Sequence, residues 1–387
     1  MKISISKKIN ISPQLLFWLI LASGFVQSPF LDGFPFFSLI YNVIEFICLI
    51  YILIHIRNFR INGLIILIIL LELSQIISTL LVEDTGSNVR TTVIECLTVI
   101  VFCMFVQLMT QININLCVQV LEDLCEILIY LNVFSAILFP NGLYSQSDYL
   151  NARHYYFLGH QNQMGFYCLI AFALGSIRTK IEPNKYNKKR LYLLMVVSLY
   201  YVFRVWSVTS IIGVGLMSLL ILYNDFSSRG FRIPVMFSLL GNIIFFILLV
   251  IEQNFSLFSN LIQNVFHRDM TLSTRTIIWN TAFNAFLLRP IWGWGAVYGK
   301  ELFGFQTTHN RYLNILFTQG IVGMVLFLLM IMLVSKSLQD RNNYIVRIML
   351  ALFFCVFIMF QAETMSDYLF YIMFIIAYNI EIIDFHK

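Results

Sequence analysis

Apolar runs of about 20 residues, separated by short polar breaks, recur from one end of this chain to the other. A bilayer core of about 30 Å takes about 20 helical residues to cross, so each run predicts a membrane-spanning helix. The pattern places twelve spans, at 13–31, 35–56, 61–82, 90–110, 122–139, 157–177, 190–206, 207–224, 233–253, 312–335, 343–361 and 366–384. The division near 205–208 leaves almost no loop between two short spans. Residues 254–311 form the longest connection. The expected fold is an all-α integral membrane protein, one polytopic domain over 1–387, with a large loop at 254–311 carrying short amphipathic helices.

Composition fits this pattern. The chain has 387 residues, 59% of them hydrophobic and 12% charged, against about 25% charged in a soluble domain. Seven cysteines, Cys48, Cys96, Cys103, Cys117, Cys125, Cys168 and Cys355, form no CxxC pair. They read as small core residues rather than ligands. The first run follows Lys2, Lys7 and Lys8 as a signal peptide would, but no small-x-small cleavage site follows, so it reads as span one.

Charge orients the bundle. Lys2, Lys7, Lys8, Arg57, Arg60 and the run "RTKIEPNKYNKKR", with six Lys or Arg against one Glu, fall on one side, which positive-inside bias makes cytoplasmic. Opposite lie the short acidic segments "VEDTGSN" and "QAETMSD". Both termini are then inside and 254–311 is outside. Loop 111–121 is not basic and contributes nothing to this orientation.

That outer loop holds Arg268, Arg275, Arg289, Lys300 and Arg311 against Asp269 and Glu301. Long loops translocate regardless of charge, so a cationic outer loop is permitted. Binding an anion is an economical reason for it. Within "STRTIIWNTAFNAFL", Ser273 is a candidate N-cap, and Trp279, Phe283 and Phe286 follow at helical spacing. Arg275 and Trp279, four apart, share a face. Pro290 stops the helix, and "WGWGAVYG" adds Gly293, Gly295 and Gly299 among aromatics. An amphipathic helix at the outer surface suits a lipid-borne substrate.

Arg275, Trp279, "RPIWGWG" and "HNRYLNILFTQGIVG" together resemble the signature of the O-antigen ligase and polymerase superfamily, bacterial membrane enzymes that join glycans carried on undecaprenyl diphosphate. Gly320 stands eleven positions after His309, the family interval, and "FLGHQNQMGF" with Asn162 resembles an earlier element. The motifs cover about 160–165 and 270–325. Ligase-type members often carry an arginine just after a serine at the start of a span before the large loop. Here Ile211 follows Ser210, and Arg204 is the nearest arginine.

The resemblance implies an inverting, metal-independent glycosyl transfer at the outer face of the bacterial cytoplasmic membrane. Charge builds on a departing diphosphate, and guanidinium forks placed there favour the transition state. An acceptor hydroxyl needs a base, and histidine titrates near neutral pH. His309 and Arg275 are therefore the expected catalytic pair. Arg204, Arg268, Arg289 and Arg311, with Asn310, Trp279 and Asn162, are candidate substrate contacts. Each has a plainer reading: Arg289 as a helix C-terminal charge, Arg268 and Arg311 as snorkelling side chains, the tryptophans Trp279, Trp292 and Trp294 as interfacial aromatics. His160 and Gln161 border the same stretch as Asn162. The loop has one Asp, one Glu and no DxD, so neither metal nor cofactor is expected. Expected partners are undecaprenyl-diphosphate-linked donor and acceptor glycans, the bilayer, a flippase and a chain-length regulator, with no nucleic acid.

Two other readings compete. A ligase would pass the same donor glycan to a lipid A core; Ile211 after Ser210 favours the polymerase. An ion-coupled transporter or flippase would use carboxylates inside spans, where they are costly and suggest function: Glu45, Glu72 and Glu95. Transporters place such residues at mid-membrane on several spans. Here the polar groups concentrate in one outer loop, which favours the enzyme.

Overall fold

A computed structural model describes residues 12–82, 89–148, 151–227, 229–251, 275–296, 303–305, 307–339 and 341–381. These residues are mostly helical: α1 (Pro13–Ser23), α2 (Pro29–Asp32), α3 (Pro35–Ile54), α4 (Gly63–Leu80), α5 (Val89–Leu138), α6 (Met164–Ile181), α7 (Lys185–Arg204), α8 (Val208–Phe226), α9 (Val235–Phe246), α10 (Arg275–Leu288), α11 (Arg311–Gln339), α12 (Tyr344–Phe360) and α13 (Asp367–Tyr378). Six of them, α3, α4, α5, α6, α8 and α11, are long and apolar enough to cross a membrane, and α1, α9, α12 and α13 are shorter apolar helices.

The element boundaries correct the periodic reading in three places and sharpen it in a fourth. The expected loop at 111–121 is helical: α5 runs 50 residues and breaks only at Asn113 (φ −158°, ψ 97°). Asn113 Oδ1 accepts from Leu116 N at 3.0 Å, which restarts the helix at once. The first span stops at Ser23 instead of continuing to 31, and α2 follows as a separate turn begun by Pro29. The span expected from 157 begins at Met164. The residues before it form a small antiparallel sheet, β1 (Tyr144–Asp148), β2 (Asn151–Tyr156) and β3 (Gly159–His160), in the order β1-β2-β3. Tyr144 pairs with Tyr155 and Tyr155 with His160. Finally, the tight division at 205–208 is real. Trp206 takes φ +51°, and α8 begins two residues later.

α6 is the central helix. Every side chain from Met164 to Arg178 is buried. It packs against α5, α7, α8 and α12. By contrast α3 exposes Phe36, Leu39, Phe46, Leu53 and Ile54, as a helix facing hydrocarbon would. All seven cysteines are buried and unpaired. The buried Glu72 accepts from Tyr371 Oη at 2.5 Å, joining α4 to α13.

The two ends of the bundle differ in chemistry. At one, Arg178 and Arg190 form ion pairs with Glu122, Asp123 and Glu126, and Lys188 pairs with Asp225. The Arg60 backbone bonds Gln111 at the same α5 break. At the other end, the sheet, the 205–207 break, α10, the described residues 289–296 and 307–310, and the 361–366 turn come together. Among the described residues, Arg60 and the 178–190 run lie at the first end and the 361–366 turn lies at the other.

Candidate active site

Three segments far apart in sequence meet on one carboxylate. Glu363, in the turn between α12 and α13, has a side chain only 2% exposed. Its Oε1 accepts from Arg275 Nη2 and, at 2.5 Å, from Asn162 Nδ2. Its Oε2 lies 3.3 Å from His309 Nδ1. The Arg275 and His309 side chains are 19% and 13% exposed, so both keep an open edge while their shared partner does not. Burial alone would raise the Glu363 carboxyl, but the Arg275 charge, the His309 hydrogen bond and the charges of His309 and His160 bring it down to about 2. The carboxylate is therefore ionised throughout the physiological range.

Each group is held by its own backbone context. Arg275 lies on α10, and Glu363 supplies the charge that compensates it. Asn162 precedes α6; its Oδ1 accepts from Ser207 Oγ at 2.6 Å, and its carbonyl accepts from Ser210 Oγ at 3.1 Å. The α7–α8 break thus braces Asn162. His309 takes φ +51°, a conformation uncommon for a side chain with a Cβ. Its N–H donates to Thr307 Oγ1 at 3.3 Å. Asn310 follows, wholly buried. Its Oδ1 accepts from Leu313 N at 3.0 Å, capping α11, and its Nδ2 donates to the Gln361 carbonyl at 3.0 Å. Gln361 in turn donates from Nε2 to Asn242. The histidine and the glutamate therefore sit on two turns that are tied to each other.

The glycine motif is the frame of this arrangement. α11 breaks at Gly320 (φ +63°, ψ −155°), a region open essentially to glycine alone. The amides and carbonyls released there bond the 290–295 loop: Ile321 N to Pro290 O at 2.8 Å, Val322 N to Ile291 O at 3.2 Å, Trp294 N to Phe317 O and Gly295 N to Thr318 O at 2.8 Å each. Gly293 and Gly295 have positive φ, and a Cβ on either would meet backbone, of Phe317 and Thr318 or of Thr79. Ser78 Oγ bonds the carbonyls of Trp292 and Thr318, docking the loop on α4. The Pro-x-x-Gly-x-Gly turn and the glycine eleven residues after His309 are two halves of one clasp.

The remaining expected residues are distributed as follows. Trp279, 1% exposed, donates from Nε1 to the Thr308 carbonyl at 2.9 Å, fixing the residue before His309 and leaving no face for a sugar. Trp294 likewise donates to the Ala285 carbonyl at 2.7 Å. Arg289 donates to the Leu81 carbonyl at 3.1 Å and lies over the Trp294 ring. It bridges to α4 rather than capping α10. Arg311 pairs with Asp367 at 2.7 Å and covers Phe370. Arg204 is exposed, 3.3 Å from Tyr200 Oη. None of these three arginines bonds Glu363. Arg268, Ser273, Gly299 and Lys300 lie outside the described residues, as does all of 254–274.

Glu363 is the residue that sequence reasoning missed, having used it only as part of an acidic outer loop. One signal was available. The same charge count that placed the cationic 254–311 loop outside placed "QAETMSD" beside it. No group of three or more His, Cys, Asp or Glu among the described residues could hold a metal ion.

Compared with known proteins, residues 191–328 match the family model described as O-antigen ligase. The match spans the α7–α8 break, Arg275, the clasp and His309. That stretch, about a third of the chain, is thus similar to the O-antigen ligase family, which is consistent with the O-antigen ligase and polymerase superfamily. No curated protein and no solved structure matches the chain.

Proposed function

We propose that this chain, similar over 191–328 to the O-antigen ligase family, is a polysaccharide polymerase: it transfers a growing glycan from undecaprenyl diphosphate to the terminal sugar of another lipid-linked repeat unit. One observation carries the reading. His309 and Arg275, a base and an anion-binding fork, lie on one carboxylate at one end of a membrane bundle. A single sugar diphosphate can reach both.

In this reaction the acceptor hydroxyl attacks the anomeric carbon of the donor. Its proton passes to His309, and the bond from the anomeric carbon to the diphosphate oxygen breaks. The lipid diphosphate departs with the electron pair, and its added charge faces the open edge of Arg275. Direct displacement inverts the anomeric centre. The same machinery with a lipid A core as acceptor is a ligase; Ile211 in place of the ligase-type arginine favours the polymerase. The loop at 254–311 then faces outside, and the Arg178–Arg190 end faces the cytoplasm.

The test is polymer length on cells expressing variants at normal membrane level. General-base catalysis contributes about 10²- to 10⁴-fold, or roughly 3 to 5 kcal/mol of barrier, so His309→Ala should abolish polymer. Arg275→Lys keeps the charge, loses the planar fork and should impair polymer strongly. Deletion of the gene should leave single repeat units on the surface. Near-normal polymer from His309→Ala would refute the mechanism. Loss of all surface glycan with lipid-linked units trapped inside would refute the class and turn attention to Glu72 as a transport residue.

A further inference from the structure

We propose that Glu363 is the positioning residue of this site, holding His309 with its ring proton on Nδ1 so that Nε2 is the proton acceptor, and holding Arg275 alongside. The proposal rests on the transfer reading for its consequence, but its geometry is independent of that reading.

An ionised carboxylate only accepts hydrogen bonds. Oε2 faces Nδ1 at 3.3 Å, so Nδ1 is the nitrogen that donates. A neutral imidazole has one N–H, and the lone pair is then on Nε2. The carboxylate cannot rotate away from this duty. Its other oxygen is taken by two donors, Arg275 Nη2 and Asn162 Nδ2. Asn162 is itself fixed, because its Oδ1 accepts from Ser207 and only its amide nitrogen is left for Glu363. Ser207, Asn162 and Glu363 therefore form a chain of assigned donors and acceptors that ends on the histidine ring. A carboxylate there merely to neutralise Arg275 would have no need of a second oxygen aimed at Nδ1.

Replacing Glu363 by glutamine separates the two roles. The amide oxygen must face Arg275 and Asn162, both donors, because the opposite orientation sets N–H against N–H. The amide nitrogen then faces His309. Nδ1 must become an acceptor, and the proton moves to Nε2. The variant is nearly isosteric yet reverses the base. An asparagine in place of the aspartate of a serine-protease triad acts this way and costs about 10⁴-fold in kcat.

The experiment is ¹⁵N NMR of the imidazole nitrogens in full-length, histidine-labelled protein in lipid nanodiscs, with His309 identified by the signal lost in His309→Gln. Transfer kinetics on lipid-linked glycan from the native host accompany it. Wild type should show neutral His309 protonated on Nδ1. E363Q should show it protonated on Nε2, with kcat down roughly 10³-fold or more and KM changed by less than about 3-fold. E363D keeps an acceptor and should retain the wild-type tautomer. His309 protonated on Nε2 in the wild type would overturn the proposal even if E363Q does not fold. So would E363Q with unchanged tautomer or near-normal kcat. If instead the tautomer reverses while His309→Ala still polymerises, the positioning stands and the transfer mechanism falls.

Discussion

Gly320→Ala should dismantle the clasp that seats His309. The backbone there has φ +63° and ψ −155°, and holding a residue with a Cβ in that region costs about 1 to 3 kcal/mol. Sterics add to this. The new Cβ would lie 2.7 Å from the Pro290 carbonyl oxygen and closer still to the Ile291 carbonyl, so relief requires the 290–295 loop to move. That movement stretches the bonds from Ile321 N and Val322 N, each worth about 0.5 to 1.5 kcal/mol net. The sum is about 2 to 6 kcal/mol, enough to unseat the loop or unfold the end of the bundle. Gly215→Ala is the control. It lies inside α8, where an added methyl would have nothing within 4 Å, and alanine is the better helix former by about 1 kcal/mol. Heating detergent-solubilised protein and measuring the surviving monomer by size exclusion gives the comparison. Gly320→Ala should lose its monomer peak several degrees below wild type, and Gly215→Ala should not. Equal thermal survival of the two variants would refute the clasp as the source of rigidity.

Other outcomes follow from the same geometry. A cysteine in Lys300→Cys should react with an impermeant thiol reagent in intact cells, against a low background because the seven native cysteines are buried; labelling only after permeabilisation would invert the topology. Glu363 is held at about 2 against an ordinary 4.5, so its contribution is full above pH 4.5 and is lost as pH falls towards 2. That contribution is about 3 kcal/mol. Thermal survival should therefore drop over that window in wild type and much less steeply in E363Q, and parallel acid profiles would contradict the buried pairing.

The chain's own pattern determined a great deal. Twenty-residue apolar runs can satisfy their backbone in a bilayer only as helices, so the helical class followed from composition and spacing. Basic and acidic breaks segregated by sign, and among the described residues this separated the 178–190 run from the 361–366 turn. Arg275, His309 and Gly320 were legible because a short motif spans them, and the helix over 275–288 was legible because Trp279 and Phe286 recur at its period. Tertiary structure decided the rest. The α5 break is a single residue, Asn113, whose own side chain restarts the helix, so no polar loop marks it. The strands at 144–160 are too short to show alternation. Arg204, Arg289 and Arg311 looked alike in sequence as cations near an interface, yet Arg204 stays on its own helix beside Tyr200 while Leu81 and Asp367 engage Arg289 and Arg311, and only packing assigns those two distant partners. Glu363 was the deepest omission, for the same reason. It stands 54 residues from His309, 88 from Arg275 and 201 from Asn162. Local periodicity carries no information over such separations, and only the packing of the 361–366 turn against α10 and the start of α6 makes one carboxylate the shared partner of all three.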